Sequence, residues 1–259
     1  MNEEIVHLVV ANRIATITLD AESNRNALSS ALMSQLEDRL AAALSDDRAR
    51  LIVLTNTGTV FCSGADLKEL SSPGAGTASA GPSRLVSILK CIMDSPKPVI
   101  ARVGGPARAG GLGLIAACDI AVSVESATFA FSEVRVGVIP AIISVVVLPK
   151  LGRAKGMELF LTGDTFDAAE AARMGLINAA VPAEQLDDRV GRVAESILKG
   201  APGALSGSKR LVREVPGMEI DDAFAFTGRL SADYFASEEA REGMTAFAQK
   251  RAPRWAEPA

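Results

Sequence analysis

The chain has one histidine, one tryptophan, one tyrosine and three cysteines in 259 residues. It has no excess of positive charge: 27 basic and 31 acidic side chains leave a formal charge of −4. Without a basic field, nucleic acid and an anionic membrane are poor partners. Cys62, Cys91 and Cys118 cannot pair completely, and their spacing matches no zinc signature. They suit a reducing compartment, where a free cysteine is a small buried hydrophobe. No His/Cys/carboxylate cluster points to a metal. The N-terminus, MNEEIVHLVV, carries two acids and no basic stretch, so it does not read as a secretory signal. The longest apolar run, Val134 to Leu151, is interrupted by Arg135, Gly137, Pro140 and Lys150, too broken for a membrane span. Neither G-x-G-x-x-G nor G-K-[ST] occurs, which argues against dinucleotide and P-loop sites. A soluble cytoplasmic protein is expected, with neither nucleic acid nor membrane as partner.

What is present is a globular composition, 48% hydrophobic and 22% charged. The spans Ile5–Val10 and Ile14–Leu19 read as strands joined by a turn at Asn12 and Arg13. Ser29 or Ser30 can cap a helix that carries Leu32, Leu36 and Leu40 on one face. Leu51–Leu54, Pro98–Val103 and Ile120–Val122 are short apolar strands of the buried kind. Ser71 to Pro82 is rich in small residues without periodicity and reads as a mobile loop. Helices are expected over Arg84–Met93 and Gly110–Cys118. After Pro182 the pattern turns helical: Glu184–Leu198, Pro202–Val212, and Asp222–Lys250 with a break near Ser237. Alternating strands and helices with short links indicate an α/β core over residues 1–200, followed by a helical part over 201–259.

Three segments carry chemistry. In the first, Phe61-Cys-Ser-Gly-Ala-Asp-Leu-Lys-Glu-Leu70, Gly64 permits a turn that presents the Ala65 N–H to a ligand oxygen. A simple turn before a helix explains it equally well. In the second, Val103 to Cys118, a Gly-rich turn opens an apolar helix at Gly110 and Gly111. Helix-start N–H groups lack partners and favour developing negative charge; close helix packing is the plainer alternative. In the third, Phe129 to Pro140, Glu133 is a lone acid among apolar residues. Such an acid is paired, neutralised or functional, and burial raises its pKa towards proton-transfer use. The alternative is an ion pair with Arg135, on the same side of a strand.

These segments, FCSGADLKEL, GGLGLIAACDIAV and FSEVRVGVIP, resemble the landmark motifs of the crotonase (enoyl-CoA hydratase/isomerase) superfamily. Asn24-Arg-Asn-Ala-Leu28, Leu161-Thr-Gly-Asp164, Ala168 to Leu176, and Phe247-Ala-Gln-Lys250-Arg251 agree in order and spacing. The resemblance covers essentially the whole chain. It implies a spiral of ββα units and a helical C-terminal part that packs between subunits. It implies homotrimers, often paired into hexamers. It implies an oxyanion hole for a thioester oxygen, made by the N–H groups of Ala65 and Gly110. Arg25, Ala27, Ser63, Ala65, Asp66 and Leu67 would line the coenzyme A groove. Phe247 and Lys250 match positions that touch coenzyme A, often from a neighbouring subunit. No separate cofactor is implied, because coenzyme A belongs to the substrate.

One departure matters. Typical hydratases of this superfamily carry two glutamates; the second matches Glu133, and the first falls at Gly113. The run after Pro140 is also changed, to Ala-Ile-Ile-Ser144. This combination resembles the branch acting on methylglutaconyl-CoA and isohexenylglutaconyl-CoA. Gly113 is then expected to leave a volume for substrate or water, with Arg108 or Arg135 as cation for a substrate carboxylate. The expected activity is hydration of a 2-enoyl-CoA by Glu133. The rivals are isomerisation or thioester hydrolysis on the same fold, and a non-catalytic acyl-CoA binder. Cys62 and Cys118 lack a basic partner for nucleophilic work. His7, Tyr234 and Trp255 read as structural, Asp119 as a turn or cap acid, and Lys68 and Glu69 as a solvated helix face.

Overall fold

A computed structural model describes residues 3–71 and 80–256. Val6–Ala11 (β1) and Ile14–Leu19 (β2) pair antiparallel, with Val6 opposite Leu19 and Ala11 opposite Ile14. Asn12 and Arg13 turn the chain at φ 50° and 64°. Two left-handed residues match the natural twist of such a hairpin. Alternate residues of β2, Ala15, Ile17 and Leu19, face inward and are fully buried.

Beyond β2 the main sheet is parallel. Leu51–Asn56 (β3), Val99–Val103 (β4), Ile120–Val124 (β6) and Ala179–Val181 (β9) extend it in the order β1-β2-β3-β4-β6-β9. Strands covered on both faces need apolar residues throughout, and every residue of β3 is buried. Ala107–Arg108 (β5), Thr128–Ala130 (β7) and Phe166–Asp167 (β8) form a second, three-stranded sheet.

Helix Ser30–Ser45 (α1) begins where Ser29 Oγ accepts the Leu32 N–H at 3.2 Å. Such a cap is worth about 1 kcal/mol. Its inner face buries Leu32, Leu36 and Leu40, at the expected spacing. Leu67–Leu70 (α2), Ala80–Asp94 (α3) and Gly110–Ala117 (α4) follow. Every residue of α4 is buried. The broken apolar run becomes Ala141–Thr162 (α5), which contains Pro149 and leaves helical geometry at Gly152, φ 69° and ψ 172°. Among the described residues, no helix is long and apolar enough to cross a membrane.

Two expectations need correction. Most of the expected loop, residues 72–79, lies outside the described residues, and α3 begins at Ala80 rather than Arg84. Glu133 and Arg135 do not share one side of a strand. The chain leaves β7 at Ala130 and turns as a 3-10 helix over Ser132–Val136, closed by Gly137 at φ 80°.

Ala168–Arg173 (α6) and Leu186–Leu198 (α7) complete the core; Pro202–Glu214 (α8), Ile220–Phe235 (α9) and Glu238–Ala248 (α10) follow. Ser237 ends the long helical pattern by capping α10, its Oγ accepting the Ala240 N–H at 3.0 Å. The C-terminal helices are tied back by half-buried polar groups. Asp119, between α4 and β6, accepts the Val99 N–H at 2.7 Å and pairs with Lys209 of α8 at 2.8 Å. Arg13 and Arg50 both donate to the Trp255 carbonyl, at 2.7 and 2.6 Å. Trp255 donates its indole N–H to the Lys199 carbonyl at 3.1 Å, and its ring packs at Gly243.

Burial raises the Asp119 pKa, and the Lys209 ammonium opposes that shift. A raised acid costs stability above the ordinary aspartate range and nothing below it. Lys209→Met should therefore destabilise the protein by about 2–3 kcal/mol at pH 7. The loss should shrink towards pH 4 and be recovered largely by adding Asp119→Asn. Urea unfolding at both pH values measures this; a loss independent of pH would contradict it.

Candidate active site

Three segments that are distant in sequence come together. Leu28 donates its N–H to the Gly64 carbonyl at 2.8 Å, and Ser63 to the Arg25 carbonyl at 3.1 Å. Arg108 donates its N–H to the Cys62 carbonyl at 3.0 Å, and Cys62 bridges Ala107. Residues 24–28 and 62–65 therefore lie against the strand that leads into α4. Asn26, only 1% exposed, fastens the first segment: its side chain accepts from Ala21 at 2.7 Å and donates to Val60 at 2.8 Å. The motif reading quoted this asparagine without giving it a role; its left-handed φ of 52° beside Arg25 at 59° was the missing signal.

Glycine makes the approach possible. Gly64 has φ 89°, and a Cβ there would meet the Ala109 Cβ at 3.0 Å and the Arg108 carbonyl at 3.1 Å. A Cβ at Gly111 would lie 2.7 Å from Cys62 Cβ. The two donor turns are thus held backbone to backbone. No described backbone acceptor takes the Ala65 N–H, and the Gly110 N–H opens α4, where helix geometry supplies no partner. Ala109, the N-cap of α4, sits at φ 48° and ψ −121°, a conformation that disfavours any Cβ. That angle sets the plane of the peptide carrying the Gly110 N–H. Non-glycine strain of this kind costs about 1–3 kcal/mol and clusters at functional sites.

Glu133 lies on the 3-10 turn beyond β7. The Ala109 N–H donates to the Ala130 carbonyl at 3.1 Å, which holds that turn beside the start of α4. Burial raises the Glu133 pKa, opposed only by a bond from its own backbone N–H. Its Oε2 is buried and unpartnered among the described residues. Arg135 does not pair with it; it reaches Asp164 at 2.6 Å and the Thr162 carbonyl at 3.3 Å. Of the two readings of Glu133, the ion pair with Arg135 is therefore absent.

The structure reassigns other expected residues. Asp66 caps α2, accepting the Lys68 and Glu69 N–H groups at 3.1 Å each. Ser63 Oγ donates to the Asn24 carbonyl at 3.3 Å. Ala27 is 5% exposed. Arg25, Ala65 and Leu67 are exposed. Glu69 is not simply solvated: it accepts the Ser30 N–H at 2.9 Å and the Ser30 hydroxyl, at the start of α1. Phe247, 86% exposed, and Lys250 stand at the end of α10. Burial pushes the Cys62 and Cys118 thiols up to about 12, which removes them as nucleophiles.

The largest correction concerns Gly113. Its hollow is not free for substrate or water. A Cβ there would lie 2.4 Å from Ile143 Cγ2, so the Ile143 side chain already fills it. Nor is Arg108 available as a cation, since it donates to the carbonyls of Ala107 and Thr128 and to the Thr128 hydroxyl.

An unpaired, partly buried carboxylate costs stability once ionised. With the folded pKa above the unfolded one, the cost appears as pH rises through the ordinary glutamate range. Glu133→Gln should raise the melting temperature by about 2 °C at pH 8. Below pH 4 the two proteins should melt together. Calorimetry across that range measures the difference, and a destabilised variant at pH 8 would argue that the carboxylate has a partner.

The sequence of residues 10–258 matches the family model described as enoyl-CoA hydratase/isomerase. An enoyl-CoA hydratase of Mycobacterium tuberculosis is 36% identical, over 92% of this chain and 91% of that protein. The crystal structure of a Mycobacterium smegmatis enoyl-CoA hydratase superposes with a TM-score of 0.92 at 32% identity, covering 98% of this chain and 100% of that one. Human enoyl-CoA hydratase domain-containing protein 3 gives 0.92 at 30% identity, covering 97% and 100%. Family model, relatives and fold agree over nearly the full length, and the chain belongs to the enoyl-CoA hydratase/isomerase family.

Proposed function

We propose that the protein hydrates a 2-enoyl-coenzyme A thioester, with Glu133 as its acid–base group. The observation that carries this reading is the Glu133 Oε2, buried and without a partner among the described residues, on a turn that the Ala109 N–H ties to the start of α4. A non-catalytic binder has no use for an acid whose pKa burial has raised. Glu133 takes a proton from water as the oxygen bonds to the β-carbon. The double-bond electrons pass into the thioester, and its enolate oxygen is held by the Ala65 and Gly110 N–H groups. The proton then returns to the α-carbon, so that one water is added in all. Coenzyme A belongs to the substrate, and no separate cofactor is needed.

A second reading is favoured by Ile143. An aliphatic branch, rather than a second carboxylate, meets the site one turn beyond Gly110. One carboxylate suffices to carry a proton between carbons, as in double-bond isomerisation. For the acyl group, the filled hollow and the engaged Arg108 and Arg135 weigh towards an apolar chain over a methylglutaconyl-type one.

Assembly belongs to the same proposal. Ile220, Phe224, Phe235 and Phe247 are each at least 70% exposed on the C-terminal helices. Such a face suits burial between copies. A homotrimer or a pair of trimers would bring Phe247 and Lys250 of one copy to the groove of another.

Crotonyl-, 3-methylcrotonyl-, 3-methylglutaconyl- and 3-hexenoyl-CoA separate the readings: water addition to the first three, or double-bond shift in the last. Glu133→Gln should lower kcat by about 10³-fold or more while leaving coenzyme A affinity unchanged. Wild-type rates in that variant would overturn the mechanism. Light scattering should give three or six times the 27.0 kDa chain mass. A stable, active monomer would refute the assembly.

A further inference from the structure

Helix α4 carries Gly110 and Gly113 on one face, because residues three apart are neighbours on a helix. A side chain at 113 would project beside the Gly110 N–H, next to the acyl carbons bonded to the thioester. The space for it is taken. A Cβ on Gly113 would meet Ile143 Cγ2 at 2.4 Å, Ile143 Cβ at 3.1 Å and Leu89 Cδ1 at 3.8 Å. Ile143 is 3% exposed and lies in the first turn of α5, which packs against α4. It follows Glu133 by a single turn and a short link.

The intruding atom is a methyl bonded directly to the Ile143 Cβ, not the far end of a flexible chain. A β-branched residue in a helix has one strongly preferred side-chain rotamer. Swinging the methyl clear takes Ile143 out of that preferred rotamer. Gly113 and Ile143 therefore form one rigid aliphatic plug between the oxyanion donor and the α5 backbone.

We propose that Ile143 is the specificity-determining residue of the acyl site. Seated over Gly113, it ends the pocket at the carbons next to the thioester. It selects straight apolar acyl groups against those branched or charged at the third carbon. This rests on the reading that Gly110 holds the thioester oxygen.

The test uses the full-length protein and two readouts. The first is affinity for butyryl-CoA and isovaleryl-CoA by calorimetry, saturated thioesters that differ by one methyl at the third carbon. The second is kcat/KM for crotonyl-CoA and 3-methylcrotonyl-CoA. Ile143→Ala should move both ratios about tenfold towards the branched member, the usual discrimination for one methyl group. Gly113→Ala should weaken both thioesters, and Gly113→Ala with Ile143→Ala should restore binding, because the clash is gone. If Ile143→Ala does not fold, Ile143→Val should move the affinity ratio about threefold. Ratios within twofold of wild type in a folded Ile143 variant would overturn the proposal. Absent turnover of every enoyl-CoA with a shifted affinity ratio would sink the hydratase reading and leave the role of Ile143 standing.

Discussion

The region around α4 depends on backbone approaching backbone with no side chain in the way. Everything around α4 serves that constraint. Gly64 and Gly111 lack the Cβ atoms that would push residues 62–65 away from residues 107–111. Ala109 accepts a strained angle that sets the plane of the peptide before Gly110. The parallel sheet supplies the rigidity, since β3 and β4 each deliver their chain to one donor turn from a fully packed base. Strain at Ala109 persists only because its N–H is bonded to β7 and its carbonyl to Leu112.

The electrostatics follow the same economy. A carboxylate left without a cation inside an apolar wall is unfavourable, and Arg135, the nearest candidate in sequence, is occupied by Asp164. The protein instead places its ion pairs where they hold elements together: Lys209 on Asp119, Arg102 on Asp187, Arg213 on Asp94. Among the described residues the Glu133 Oε2 has no partner, and burial raises the pKa of its carboxyl.

Much of this was legible in the sequence, and the rest shows what sequence reading cannot see. Periodicity marked β1, β2, α1 and the C-terminal helices, whose ends at Ser29 and Ser237 carry side-chain caps. The three motif segments singled out Ala65, Gly110 and Glu133, and backbone contacts link the turns that carry them. What failed involved contacts between distant residues. Gly113 looked empty because glycine has no side chain; only packing reveals that Ile143, thirty positions on, occupies its space. An ion pair of Glu133 with Arg135 needed a strand, yet Gly137 closes a 3-10 turn there. Ala109 left no trace in the sequence, since alanine suggests nothing of an unusual backbone angle. Asp66, a groove residue by resemblance, and Glu69, a solvated one by pattern, each also secure a helix start.

The chain's single tryptophan sits on its final turn, held through its indole N–H by Lys199 and through its carbonyl by Arg13 and Arg50. The segments around Ala65 and Gly110 and the Glu133 turn contain no indole. The intrinsic fluorescence of this protein is therefore a spectroscopic label for the tail alone. Its emission reports whether the C-terminus is seated on the hairpin and α7, in a channel optically separate from the chemistry at α4.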